Sequence, residues 1–346
     1  MTVSPLVSII VLNYNAGELL VNCIQALKKS LHTNLEIIVV DNISSDNSQE
    51  KCKEKFPDIK LIQNNENLGY CGGNNVGIKE AKGEFIIILN PDTIVEDNCI
   101  SELISAYNKF GEGLYQPKIF SLNEENIIQS TGNMLHVFGF GFARDKGNKV
   151  VNKIEEIEKI GYASGTCLFT SREVINKVGL LDEFLFLYHD DLDLGWRAAQ
   201  IGINSFYVPK SKIYHVESYS LKWSSKKFYW LERNRKYCLL THYSKKTYEK
   251  MRFSLMLVDL LVWVFYFSKG FLGVKIKAEL DIRKNKKIIE TKYVELENKK
   301  IISDIELIKN FPDEIFVPTN VSQQSMNVKF NSILTKLSKK IKENIT

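Results

Sequence analysis

Short β-branched runs alternate with helix-spaced segments through the first hundred residues, and an open α/β sheet is the architecture that accommodates this pattern. Val7-Ser8-Ile9-Ile10-Val11-Leu12 is continuous and apolar, as expected of a strand covered on both faces. Residues 18–30 set Leu19, Leu20, Cys23, Ile24 and Leu27 along one helical stripe. Residues 35–40 read as a second strand ending at Asp41, and Ser44-Ser45-Asp46-Asn47-Ser48 then supplies several helix caps. A third strand over 59–63, a short helix over 74–82 and a fourth strand over 85–89 complete the repeat. The sheet should be largely parallel, and ligands of such sheets bind beyond the carboxyl ends of the strands. Asn13-Tyr14-Asn15, Asp41-Asn42 and Asn90-Pro91-Asp92 follow those ends, so all three are expected to face one crevice.

The middle of the chain is less regular. Gly139, Gly141 and Gly147 with Arg144, Asp145 and Lys146 read as a mobile loop. Gly161-Tyr162-Ala163-Ser164-Gly165-Thr166 precedes a short strand over 167–170, and helices are expected over 172–178 and 190–200 before a last strand at 205–208. Past residue 222 the composition changes. Residues 222–252 carry ten Lys/Arg against two Glu, a net +8, together with seven aromatics. The whole chain is only +5, so the basic character is local and too mild overall to indicate a nucleic-acid partner. Residues 253–267 are apolar except for Ser254 and Asp259, and from 275 onward a Lys- and Glu-rich helical extension follows. The chain divides on this reading into 1–221 (a nucleotide-facing half to about 100, an acceptor half beyond it), a basic-aromatic and apolar region at 222–275, and a charged extension at 276–346.

Five features carry chemistry. Asp41 ends a buried strand, where a carboxylate can accept from a nucleobase N–H or ribose hydroxyl; Asp92, at the end of another with no Lys or Arg beside it, suits a divalent cation that bridges to phosphates. Asp190-Asp191-Leu192-Asp193 crowds three carboxylates into four residues, and like charges in one site raise at least one pKa toward what a general base needs. A helix N-terminus, which favours acids, accounts for one or two of them. The run from Asn67 to Asn75 is a glycine-rich loop leading into a helix; it matches neither a dinucleotide fingerprint nor a P-loop, yet it can present backbone N–H groups to a ligand. His215 is one of five histidines.

Taken in order, these segments resemble glycosyltransferase family 2, the inverting nucleotide-sugar transferases with the GT-A fold, and most closely its rhamnosyltransferase-like branch in bacterial surface polysaccharide synthesis. The resemblance runs over about residues 5–240: the strand into Asn13-Tyr14-Asn15; Val39-Val40-Asp41-Asn42; the segment 65–77; Leu89-Asn90-Pro91-Asp92-Thr93; Gly165 before Arg172-Glu173; Asp190-Asp191-Leu192-Asp193-Leu194 with Arg197; and His215. Two departures stand out. The family's Asp-x-Asp appears as Asn90-Pro91-Asp92, and its Glu-Asp pair appears as Asp190-Asp191. The resemblance implies that Asp191 is the catalytic base with Asp190 and Asp193 in support. It implies a nucleotide site of Asn13, Tyr14, Asn15, Asp41, Asn67, Gly73 and Asn74, and a Mn²⁺ or Mg²⁺ ion on Asp92 and His215.

The partners so implied are a nucleoside-diphosphate sugar and a glycan or lipid-linked acceptor. The basic-aromatic region adds an expected contact with the inner face of the cytoplasmic membrane. Pairing of two copies through the C-terminal helices is the competing use of that region. The six cysteines are scattered with no Cys-x-x-Cys, and the apolar run 6–12 is too short for a signal-peptide core, so a cytoplasmic setting is expected. Two other readings compete. A nucleotidylyltransferase of similar fold would want an early loop with Arg or Lys, which Asn13-Tyr14-Asn15-Ala16-Gly17 lacks; a catalytically inactive scaffold would have no need of Asp92, Asp191 and His215 together.

Overall fold

The computed structural model describes residues 4–149, 156–216, 224–316 and 325–345. The chain forms two compact units. One comprises Met1–Asn133, Arg144–Ala198 and Ile203–Tyr219; the other comprises Met134–Ala143, Ala199–Gly202 and Ser220–Thr346. The residues expected as two separate C-terminal regions thus lie in one unit, and the expected boundary at 221/222 falls outside the described residues.

The first unit runs β1 (Val7–Asn13), α1 (Glu18–Leu27), β2 (Leu35–Asp41), α2 (Ser48–Lys55), β3 (Lys60–Gln63), α3 (Gly69–Glu80), β4 (Phe85–Leu89), β5 (Thr93–Val95), α4 (Cys99–Phe110), β6 (Gly113–Ser121) and β7 (Ile128–Ser130). A hairpin of β8 (Asn133–Leu135) and β9 (Gly141–Ala143) intervenes, then β10 (Glu158–Ile160), β11 (Cys167–Ser171), α5 (Arg172–Val178), α6 (Asp190–Gln200) and β12 (Asn204–His215). One ten-stranded sheet takes the order β10-β12-β6-β11-β4-β1-β2-β3, with β5 on β12 and β7 on β6. β3, β2, β1 and β4 are mutually parallel, β6 and β12 are parallel, and β11 enters antiparallel between β4 and β6.

The alternation along β1 explains how this half is built. Val7, Ile9 and Val11 join the core cluster with α1 and α4. On the opposite face Ile10 and Leu12 meet α3, where a Cβ on Gly73 would lie 2.4 Å from Leu12 and one on Gly77 would lie 2.5 Å from Ile10. Glycine spacing of four therefore lets a helix backbone lie directly on the sheet. The glycine-rich stretch expected as a loop is for that reason helical from Gly69, five residues before the expected start. Two further expectations change. The last strand extends to His215 across an irregularity between Val208 and Lys212, and Gly141 belongs to β9 rather than to a loop.

In the second unit the long helices are α7 (Ser225–His242), α8 (Lys245–Ser268), α9 (Leu272–Lys284) and α10 (Lys286–Lys299), followed by α11 (Asp304–Asn310) and a last helix at Ser325–Ile345. Three of the ten cations of 222–252, Arg233, Arg235 and Lys236, are paired inside this unit. Arg235 pairs with Glu232 at 2.8 Å and Arg233 with Asp281 at 3.1 Å. Lys275, fully buried, reaches Glu232 at 2.6 Å and both Asp259 and Glu279 at 2.7 Å. Asp259, the one acid inside the apolar run, is thereby explained. Its carboxyl is held below the usual range by Lys275 and Lys236 in spite of burial.

Candidate active site

Strand register gathers the polar segments at one edge of the sheet in the first unit. Asn13 lies opposite Asp41, and Val11 opposite Leu89, so Asn90 follows at the same edge. β11 runs the other way, which places its start there too: Cys167 pairs with Leu89, and the Asn90 N–H donates to the Thr166 carbonyl at 3.0 Å. β12 ends at that edge with His215 opposite Thr93 of β5.

This pairing brings together two residues 123 positions apart in sequence. His215 Nε2 stands 3.4 Å from Asp92 Oδ1, both side chains about one-tenth exposed (13% and 10%). Gln129 fixes the ring. Its amide nitrogen donates to the His215 carbonyl at 2.8 Å, and its Oε1 lies 2.7 Å from His215 Nδ1. With Nδ1 engaged by that oxygen, Nε2 is the nitrogen that faces the Asp92 carboxylate. A carboxylate oxygen and an imidazole nitrogen together are a donor set that Mn²⁺ or Mg²⁺ accepts.

Asp190, Asp191 and Asp193 open α6, and they are not equivalent. Asp193 is paired with Arg197, whose Nε and Nη2 both donate to Asp193 Oδ2 at 2.8 Å; Arg197 also ties the Val178 and Leu180 carbonyls. The i,i+4 spacing of that pair was present in the sequence and accounts for the third acid. Asp191 keeps partial exposure, accepts from the Gly165 N–H at 3.0 Å through Oδ2 and from the Leu192 N–H at 2.8 Å through Oδ1. Burial raises its carboxyl above the ordinary range while those two N–H groups oppose the shift. Asp190 is buried and pushed well up, first by burial and then by the adjacent Asp191 charge. Phe186, Tyr188 and His189 just before the helix all have left-handed backbone, with φ of 62°, 67° and 62°, a strained approach of the kind found at functional sites.

The support for Asp191 comes from partners far away in sequence. Gln116, fully buried in β6, accepts from the Ser164 N–H at 2.8 Å and so sets the turn whose next residue is Gly165. Tyr70 donates its hydroxyl to the Gly165 carbonyl at 2.5 Å. Asn75 clamps Leu181 from both sides, donating to its carbonyl at 2.9 Å and accepting from its N–H at 3.0 Å. Gln116, Gln129 and Asn75 carried no local sequence signal, because an amide in a strand or helix interior shows its purpose only through a distant partner.

The expected nucleotide residues divide into two groups. Asn13, fully buried, donates to Asp41 Oδ1 at 2.7 Å and to Ser48 Oγ at 2.8 Å, while Asp41 Oδ2 accepts from the Ser44 N–H at 2.9 Å. Asn15, left-handed at φ 55°, accepts from the Ser45 N–H at 2.7 Å, so the loops after β1 and β2 are laced together. Tyr14 projects from this braced loop, half exposed at 49%. On the α3 side, Asn67 accepts from the Gly69 N–H at 2.9 Å, and Gly73 is held against Leu12 and Asn42. Asn74 is buried with its Nδ2 on the Tyr70 carbonyl at 2.9 Å and its Oδ1 without a hydrogen-bond partner.

Comparison with known proteins bears on the family and the fold. Residues 8–179 match the sequence family described as Glycosyl transferase family 2. A low-salt glycan biosynthesis hexosyltransferase, Agl10 of Haloferax volcanii, is 30% identical over 206 residues, covering 57% of this chain and 62% of that protein. An N-acetylglucosaminyl-diphospho-decaprenol L-rhamnosyltransferase of Mycobacterium tuberculosis is 24% identical over 61% of this chain and 76% of its own length. Among solved structures, GalNAc-T7 with UDP, GalNAc and Mn²⁺ superposes with a TM-score of 0.61 at 16% identity, over 81% of this chain and 55% of that one. The fold is accordingly of the GT-A type, with a central, mostly parallel sheet and C-terminal helices, and the chain belongs to glycosyl transferase family 2.

Proposed function

We propose that the protein is an inverting glycosyltransferase, moving a sugar from a nucleoside diphosphate to a hydroxyl of a glycan or lipid-linked acceptor. The observation that carries the proposal is the convergence at one sheet edge of Asp92 with His215 and, through the Gly165-Thr166 turn, of Asp191. On this reading Asp191 is the base. The acceptor oxygen attacks the anomeric carbon as the carbon–oxygen bond to the diphosphate breaks, and the acceptor proton passes to Asp191. Attack opposite the leaving group inverts the anomeric centre, the logic shared by inverting glycosidases. The two N–H groups on Asp191 fix its aim, and burial keeps its proton affinity above that of a free carboxylate.

Asp92 and His215 would hold a divalent cation, which when bound offsets the charge that develops on the departing diphosphate. Tyr14 offers its exposed ring to the nucleobase, with Asn15 beside it. Asp41, whose two oxygens each have one partner, retains lone pairs for a nucleobase or ribose donor. Asn67, Gly73 and Asn74 form the α3 side of that site, where the Asn74 oxygen is the group left over for a ligand. The diphospho-lipid acceptors in the relatives' names support a lipid-linked acceptor, and the L-rhamnosyltransferase among them makes rhamnose the donor sugar to test first; a lipid-linked acceptor in turn fits work at the cytoplasmic membrane face. Release of nucleoside diphosphate from a panel of nucleotide sugars, assayed with Mn²⁺ or Mg²⁺ and after chelation, tests the proposal. Metal-restored release supports it, and full activity in excess chelator contradicts the assigned role of Asp92 and His215.

A further inference from the structure

α8 has two apolar faces, and its own unit covers one of them. Met251, Leu255, Val258, Val262 and Tyr266 are buried at helical spacing. Phe253, Met256, Leu260, Val264 and Phe267, at the complementary three- and four-residue spacing, are each between 54% and 70% exposed. At 1.5 Å per residue this stripe is roughly 21 Å long and straight along one side of the helix. An exposed line of five large apolar side chains, with an aromatic at each end, is not the ordinary scatter of surface hydrophobics. The exposed charges of the helix itself are mostly basic. Lys245, Lys246, Lys250 and Arg252 are exposed at the helix's start and Lys269 just past its end, against a single exposed acid, Glu249.

We infer that this stripe lies in the interfacial layer of an anionic membrane, with the flanking cations on the headgroups. The inference rests on the proposed lipid-linked acceptor for its purpose, but its grounds are the stripe and the charge around it. An apolar face bordered by Lys and Arg is the pattern of a helix lying on a bilayer. Self-association along the same stripe meets an electrostatic obstacle. Parallel pairing sets the basic starts of two helices together, and antiparallel pairing sets each start against the partner helix's cationic end, with only Glu249 to offset either. Spanning is disfavoured as well: the opposite face is already packed, and Asp259 is committed to Lys275 and Lys236.

Flotation of the full chain with vesicles tests the inference. Binding to mixed phosphatidylglycerol–phosphatidylcholine vesicles should exceed binding to phosphatidylcholine alone and weaken as salt rises above about 0.1 M, where the Debye length is already only ~10 Å. Leu260→Asp, on an exposed position that the fold does not need, should lower the partition coefficient by at least roughly tenfold with an unchanged melting temperature. The combined Lys245→Ser, Lys246→Ser and Lys250→Ser change should remove most of the preference for anionic lipid. Absence of vesicle binding overturns the inference. So does extraction by detergent only, irrespective of salt, or a dimer in solution that Leu260→Asp converts to monomer. Release of nucleoside diphosphate with a water-soluble acceptor should be the same for Leu260→Asp and the unaltered chain. Vesicle binding without any release leaves this inference standing while the proposed function fails, and the converse result separates them the other way.

Discussion

Replacing Gln129 by Leu should weaken divalent-metal binding without unfolding the protein. The side chain makes two contacts with one residue, at 2.8 Å to the His215 carbonyl and 2.7 Å to its Nδ1. The carbonyl keeps a second donor, the Leu122 N–H at 3.0 Å, so the loss falls on the imidazole. Nδ1 is left without its acceptor, and the ring can turn or change tautomer and no longer aim Nε2 at Asp92. Outer partners of metal-bound histidines typically contribute 10–100-fold in metal affinity, about 1.4–2.8 kcal/mol. Titration calorimetry with Mn²⁺, or the loss of the free-Mn²⁺ electron-spin-resonance signal, reads this directly and does not depend on turnover. Gln129→Glu keeps an acceptor for Nδ1–H and should recover most of the affinity. An affinity for Gln129→Leu equal to that of the unaltered chain, with the fold intact by circular dichroism, refutes the argument that Gln129 sets the histidine.

Lys275→Met should destabilise the second unit by about 3–5 kcal/mol, because Glu232, Asp259 and Glu279 lose their shared cation in a buried setting; a melting temperature within a degree of the original contradicts that. Asp190→Asn should raise the melting temperature at neutral pH. The Asp190 pKa is raised in the folded state, so the stability that it contributes is complete below its unfolded value and is lost as pH rises through the folded one. The variant should show a correspondingly flatter fall of stability over the acidic range, measured by thermal melts against pH. The cysteines should be inert in the native protein, since all six are buried and burial pushes Cys23 and Cys99 up to about 12 and Cys52 to about 11; rapid labelling by a thiol reagent before unfolding runs against this.

The sheet of the first unit and the polar ends of its strands were legible because they rest on local pattern. A continuous β-branched run such as Val7 to Leu12 declares a covered strand, and the residue after it declares a sheet edge. Illegible features depend on contacts across the chain. Gly73 reads as part of a loop and Gly77 as part of a short helix, and only the partner atoms of Leu12 and Ile10 show that both serve close helix–sheet packing. Asp259 suggested a break in an apolar segment until Lys275, 16 residues on, supplied its partner. Gln129 and Gln116 lie within strands and gave no signal at all, although each braces one of the residues on which the chemistry is proposed to depend. The pairing of Asp92 with His215 was implied by resemblance alone, and it is the β5–β12 register that brings the two together.

The most direct test of the whole account is the rate of sugar transfer by Asp191→Asn, measured alongside donor affinity. The substitution preserves size and leaves Oδ1 to accept a backbone N–H, but it removes the group that takes the acceptor proton. Turnover should fall by ~10²–10⁴ while nucleotide-sugar binding stays within a few-fold of the original. Near-normal turnover in that variant, with the loss appearing instead in Asp190→Asn or Asp193→Asn, would contradict the assignment of Asp191 as the base.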